Sequence, residues 1–171
     1  MTNVLRPFLD RWRLCAVLVA AAMLATAHAF ETFGGYAPCM LCLRQREAYW
    51  AILALGLIFM VLVRTPGGPR WRAATCWALA LGFAISCGVA VYHAGAEWKF
   101  WPGPQSCSGG GSKVNMADIQ AMLDGATFKP PSCENAAWRM AGLSMAGWNA
   151  MVSLGLVGLS ALAALREYGK R

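Results

Sequence analysis

Residues 73–93 read AATCWALALGFAISCGVAVYH, 21 residues without a formal charge. About 20 apolar residues of α-helix span a bilayer core. Residues 14–30, 43–63 and 140–165 fit the same length. Apolar residues make up 58% of the 171-residue chain and charged ones 13%, where a soluble domain carries roughly 25% charged. A disordered chain and a water-soluble globule are both excluded. The pattern predicts an all-α fold: one integral membrane domain over residues 1–171, a four-transmembrane-helix bundle. Gly82, Gly88, Gly142, Gly147, Gly155 and Gly158 lie in these stretches, and small residues let helices approach closely in lipid.

The first stretch has a second reading. Arg11 and Arg13 precede an apolar run that ends in Ala27-His28-Ala29, which looks like a signal-peptide cleavage site. The run is longer than the usual ~7–15-residue signal core, so it is read as the first span.

Charge sets the orientation. The first 13 residues, the 64–72 loop and the tail together hold nine basic and two acidic side chains. The other two loops and the turns beside them hold six of each. By the positive-inside rule both termini and the 64–72 loop are cytoplasmic, and loops 31–42 and 94–138 face outward. Thr65-Pro66-Gly67-Gly68-Pro69 reads as a tight turn. The net charge of +7 therefore marks topology. It does not mark nucleic-acid binding, because no basic stripe is interleaved with aromatics. Membrane lipid is the expected surrounding. The long outward loop is broken by Pro102, Pro104, Gly109 to Gly111 and Pro130-Pro131. Within it, residues 114–123 form a short helix in this reading, with Ile119, Met122 and Leu123 on one face, lying on the membrane surface or simply solvated.

Four of the seven cysteines fall in the outward loops: Cys39 and Cys42 in the first, Cys107 and Cys133 in the second. In a bacterial inner membrane these loops face the periplasm, where disulfides persist. The two-and-two split suggests two redox pairs. Cys15, Cys76 and Cys87 lie in apolar helices and read as small buried hydrophobes. Cys76 and Cys87 are separated by roughly 16 Å of helical rise and cannot pair.

Cys39-Met40-Leu41-Cys42 follows Gly34-Gly35 and Pro38 and opens the second membrane helix. Unpaired amides at a helix start favour a thiolate. Arg46, four residues beyond Cys42, brings a cation to the same face. Both effects favour the Cys42 thiolate; Arg46 also reads as an interface anchor. Cys39 and Cys42, three apart, are near enough to bridge with local distortion. An all-cysteine zinc site is an alternative for the four loop cysteines, against which stands the 25-residue separation of Cys107 and Cys133. Purely structural disulfides are another. A thioredoxin-like module is excluded because no βαβ pattern surrounds the motif.

A dithiol that becomes a disulfide must discard two electrons. Neither a dinucleotide fingerprint nor a Cys-x-x-Cys-His haem motif is present. A lipid-soluble quinone at the membrane boundary beside Cys42 is the natural acceptor, and Arg46, Gln45 and His93 are the polar candidates to bind it. Glu97 is four residues from His93 and meets it if the third helix continues that far.

The ordered set Pro38-Cys39-Met40-Leu41-Cys42, Gln45-Arg46, Tyr92-His93, Glu97, Trp101-Pro102-Gly103-Pro104, Cys107, Cys133-Glu134 and Trp138 resembles the disulfide bond formation protein B (DsbB) family. These are bacterial inner-membrane thiol:quinone oxidoreductases. The resemblance implies a four-helix bundle that re-oxidises a periplasmic thioredoxin-fold oxidase, DsbA, and passes electrons to ubiquinone or menaquinone. It also implies disulfides Cys39–Cys42 and Cys107–Cys133. Cys107 matches the cysteine that meets the DsbA thiol, and Cys133 its partner, which exchanges with Cys39. Cys42 matches the thiolate facing the quinone and Arg46 the quinone-site arginine. Alternatives are a sister enzyme with a dedicated partner, the vitamin K epoxide reductase-like family (whose Cys-x-x-Cys lies near the last helix), and a non-enzymatic metal-binding membrane protein.

Overall fold

The computed structural model describes residues 5–65, 68–104, 120, 123 and 132–169. A short α1 (Leu5–Asp10) leads into α2 (Trp12–Thr32), α3 (Met40–Leu62) and α4 (Gly68–Glu97). A two-stranded hairpin, β1 (Arg139–Met140) and β2 (Leu143–Ser144), precedes α5 (Met145–Tyr168). The four helices from α2 onward are each long and apolar enough to cross a membrane. Cys107 lies outside the described residues, as does the expected 114–123 helix apart from residues 120 and 123.

Several boundaries differ from the sequence expectation; α4 already begins at Gly68 rather than at 73, so Gly68 and Pro69 of the expected turn open the helix, where a proline's missing N–H costs nothing. The third long helix runs on to Glu97 rather than ending at His93, so the two side chains share one continuous helix. The last begins at Met145, not at 140, because Arg139 pairs with Ser144 and Met140 with Leu143 in an antiparallel register. Ala141 and Gly142 turn the chain with φ of 51° and 82°, the double positive φ of a tight hairpin turn. Ser144 then caps α5, its hydroxyl accepting from the Gly147 amide at 3.1 Å.

Helix α4 packs most extensively against α5 and then α3; α2 lies on α3 and closes the ring against α5. The core is built from Trp12, Ala16, Ala20 and Leu24 of α2, Tyr49 and Ile52 of α3, Leu79 and Phe83 of α4, and Leu156 of α5. Ser86, Asn149, Ser153 and Ser160 are buried, whereas Leu57, Ile58, Leu81, Ile85 and Leu154 face outward. Polar inside and apolar outside suits lipid, where interhelical hydrogen bonds hold a bundle. Trp12 Nε1 donates to Ser160 Oγ at 2.9 Å in this way.

The glycines act at fewer places than expected. Gly82 admits Ile52: a Cβ there would lie 2.7 Å from Ile52 Cγ1. Gly88, Gly155 and Gly158 face open space, and Gly142 belongs to the hairpin. Close approach in this bundle needs a small residue only where a branched partner projects into the seam.

Candidate functional site

The Cys39-Met40-Leu41-Cys42 segment forms the N-terminus of α3. Cys39 is the N-cap, with extended backbone (φ −78°, ψ 172°). Its sulfur takes the position that a Ser or Asp oxygen usually fills, accepting from the Cys42 amide at 3.3 Å. The Cys42 amide is thereby directed at Cys39, and the Cys39 backbone amide at Cys42. The two Sγ atoms are 3.0 Å apart. The Cys39–Cys42 disulfide implied by the resemblance is open here: both residues are thiols, in hydrogen-bonding contact but about 1 Å beyond S–S bonding length. The contact with Cys42, reinforced by burial, holds the Cys39 thiol above the ordinary cysteine range, so Cys39 stays protonated.

Cys133 is fully buried and packs with Cys39 and Leu41. It is disulfide-bonded. Its sulfur, the Cys39 sulfur and a His93 ring nitrogen all lie within 4.8 Å of one another. A zinc tetrathiolate would require Cys133 as a thiolate, yet its sulfur is already bonded, and the third group beside Cys39 is an imidazole.

A clamp places Cys133 there. Glu134 Oε1 accepts from the Gly103 amide at 3.0 Å, and Oε2 accepts from Lys99 Nζ at 3.3 Å. The Gly103 amide, then Lys99, hold this exposed carboxyl below the usual carboxylate range. Trp101 stacks on Tyr92 at 5.8 Å and donates its indole N–H to the Tyr92 carbonyl at 2.8 Å. Gly95 leaves the room, since a Cβ there would lie 2.0 Å from the Trp101 ring. The Trp-Pro-Gly-Pro strap is thereby held to α4, and Glu134 ties the Cys133 segment to the strap.

Beneath the cysteines runs a chain of buried polar contacts. His93 Nε2 is 3.6 Å from Cys39 Sγ. Gln45 Nε2 donates to His93 Nδ1 at 2.9 Å, Asn149 Nδ2 to Gln45 Oε1 at 2.6 Å, and Tyr49 OH to Asn149 Oδ1 at 2.6 Å. Ser153 Oγ lies 3.0 Å from the Tyr49 hydroxyl. The chain joins α4, α3 and α5. Asn149, Tyr49 and Ser153 were not identified from the sequence. Their signal was there: Gln45 and Tyr49, and Asn149 and Ser153, recur four residues apart on membrane-spanning helices, and polar groups inside a membrane are usually paired or functional.

Arg46 brings its charge to bear on Cys42, as expected, but it does not reach out as an anchor. It pairs with Glu31 and donates to the Ala27 carbonyl at 2.9 Å, fastening α3 to α2. Arg44 pairs with Glu47 at 2.8 Å on the exposed face. Between α2, α3, α4 and the 132–148 segment lies a cavity of about 510 Å³, lined by Cys39, Cys42, Gln45, Arg46, His93 and Glu97 and otherwise mostly by apolar side chains such as Phe30 and Trp138. This volume and lining are those of a small-molecule pocket. A quinone fits the donor set: an apolar wall for ring and tail, with cationic and hydrogen-bonding groups for its carbonyl oxygens.

The family model "Disulfide bond formation protein DsbB" matches residues 10–163. Among curated proteins, disulfide bond formation protein B of Marinobacter nauticus is 30% identical over 166 residues, covering 95% of this chain and 96% of that one. The protein of the same description from Methylococcus capsulatus is 33% identical over 158 residues, covering 87% and 90%. That from Dechloromonas aromatica is 31% identical over 160 residues, covering 90% and 87%. No solved structure matches. Adjacent cysteines at the end of a bundle of membrane-spanning helices thus accompany family-wide similarity, and the chain belongs to the DsbB family of disulfide-forming membrane oxidoreductases.

Proposed function

We propose that this protein re-oxidises a DsbA-like thioredoxin-fold oxidase in the periplasm and passes the electrons to a membrane quinone, ubiquinone or menaquinone. The carrying observation is that the Cys133 sulfur lies within 4.8 Å of Cys39. A cysteine from the second outward loop is thereby in reach of the pair at the membrane boundary.

The relay uses each loop cysteine once. A thiolate of the soluble partner attacks Cys107 of a Cys107–Cys133 disulfide, and Cys133 leaves as thiolate. Cys133 attacks Cys39 of the Cys39–Cys42 disulfide, and Cys42 leaves as thiolate toward the cavity. Each exchange forms one S–S bond and breaks one, and needs an approaching thiolate with access to a sulfur. The pair at the N-terminus of α3 is enclosed, which leaves entry from solution to the second loop. A bound quinone supplies an acceptor for two electrons and two protons. Arg46, Gln45 and His93 hold and orient it, and the apolar wall excludes water. Both termini are cytoplasmic and the four loop cysteines periplasmic in a bacterial inner membrane, in line with the charge asymmetry of the loops.

The test mixes purified protein, a short-tailed quinone and a reduced DsbA-type protein, and follows quinone absorbance. Quinone consumption matched one to one by partner disulfide is expected. Partner oxidation without quinone loss would overturn the reading.

A further inference from the structure

Glu97 has no part in the relay above, yet it lies deep in the same cavity. It is the last residue of α4, one turn beyond His93. Its side chain is 6% exposed, and among the described residues its Oε2 is buried without a hydrogen-bond partner, although the Ser144 hydroxyl faces the same carboxyl. A buried carboxylate oxygen lacking a donor is costly. The arrangement is tolerated when the carboxyl carries a proton or when a ligand supplies the missing contact. Among the described residues, the titratable and polar groups facing it are His93 on its own helix, Cys42 of α3, and Arg139 and Ser144 of the hairpin.

His93 is the obvious rival for proton transfer, but the polar chain turns a donor rather than an acceptor of its ring toward the cysteines. Tyr49 donates to Asn149, Asn149 to Gln45, and Gln45 to His93 Nδ1. Every donor points toward the imidazole, so its own proton sits on Nε2. That N–H faces Cys39 Sγ and Glu97 Oε1, each at 3.6 Å. Neutral His93 in this tautomer has a donor toward the sulfur and no open lone pair on that side. It donates toward Cys39 and is not placed to take a proton there. The acceptor next to it is the Glu97 carboxylate.

We propose that Glu97 is a catalytic acid–base group of this cavity, giving its proton to a quinone oxygen as the electron pair of Cys42 arrives and recovering one released by the thiols. The inference rests on the quinone reading above. Per turnover, two thiol S–H bonds of the soluble partner are lost and one S–S bond forms. The quinone gains two electrons and two O–H bonds. The Glu97 O–H breaks and reforms twice, leaving the residue unchanged.

The test compares wild type with Glu97→Gln, which keeps the shape and loses the exchangeable proton, and Glu97→Asp, which keeps the carboxyl on a shorter arm. One readout needs no quinone. Infrared difference spectra between dithiothreitol-reduced and oxidised protein should contain a carboxylic C=O band that is present in wild type and Glu97→Asp and absent in Glu97→Gln. The other is quinone reduction against pH. Glu97→Gln should turn over about 100-fold more slowly, with a flattened pH profile and quinone affinity within a factor of about 3. Glu97→Asp should be slowed less and keep its pH dependence, a check that stands even if Glu97→Gln does not fold. Wild-type rate and pH profile in Glu97→Gln, or a difference spectrum in which the carboxyl band is unaltered by that change, would overturn the proposal. If wild type itself does not reduce quinone, the function reading fails instead, and the infrared band still reports on Glu97.

Discussion

Asn149 Nδ2 donates to Gln45 Oε1 at 2.6 Å, so the last helix grips the helix capped by Cys39 about one turn below Cys42. Replacing Asn149 with Leu removes this bond and strands one Gln45 oxygen, while the Tyr49 hydroxyl keeps Ser153 Oγ at 3.0 Å. An interhelical hydrogen bond in a membrane contributes about 1–2 kcal/mol at most. Asn149→Leu should therefore lose about 1–2 kcal/mol in denaturant unfolding in detergent, and nitrogen NMR of His93 should show mixed tautomers. A single Nε2–H tautomer in the variant would disprove the directional chain.

Arg46 brings a cation to the cavity and is held by Glu31 and the Ala27 carbonyl. Arg46→Met should raise the quinone KM about tenfold or more, the loss of one charge-assisted hydrogen bond. Arg46→Lys keeps the charge without the planar fork and should fall between. An unchanged KM in Arg46→Met would remove Arg46 from the binding site.

The nearness of Cys133 to Cys39 has a covalent test. In a Cys42→Ser, Cys107→Ser double variant, the two remaining loop cysteines should join on mild oxidation, seen as a Cys39–Cys133 peptide by mass spectrometry. Failure to cross-link would show that the two sulfurs do not meet in the membrane.

Glu134 provides a pH signature. Its carboxyl is held below the ordinary value of 4.5 by the Gly103 amide and Lys99. A depressed folded value means that the clamp's stabilising contribution is fully present above about 4.5 and is lost as pH falls through the folded value. Exchange of the Gly103 amide, corrected for intrinsic pH dependence, should be slow at pH 7 and quicken below that point. Glu134→Gln keeps an oxygen acceptor but loses the charge, so its protection should be weaker at pH 7 and flat with pH.

Topology follows from the loop charges. A reporter active only in the periplasm should be silent when fused after Arg171 and active when inserted near Gly110. The opposite pattern would invert the bundle.

The four spans, the helical class and the position of Cys39 and Cys42 at the start of a long helix were legible in the sequence. Hydropathy over about 20 residues is a local property that the bilayer enforces, and cysteines between spans fall at membrane boundaries. The start of α5 was not legible, because the Arg139–Ser144 pairing that delays it is a backbone contact that an apolar run does not disclose. The polar residues of the site were only partly legible. Arg46 stood out by its charge, but its engagement with Glu31 depends on how α2 packs against α3. Only tertiary structure brings Cys133 to Cys39, aims Gln45 and Asn149 at His93, and leaves one oxygen of Glu97 buried without a hydrogen-bond partner among the described residues. Spacing along a chain determines which residues share a helix face, whereas contacts between helices depend on the relative rotation and depth of each helix, and those are set by packing across the whole bundle.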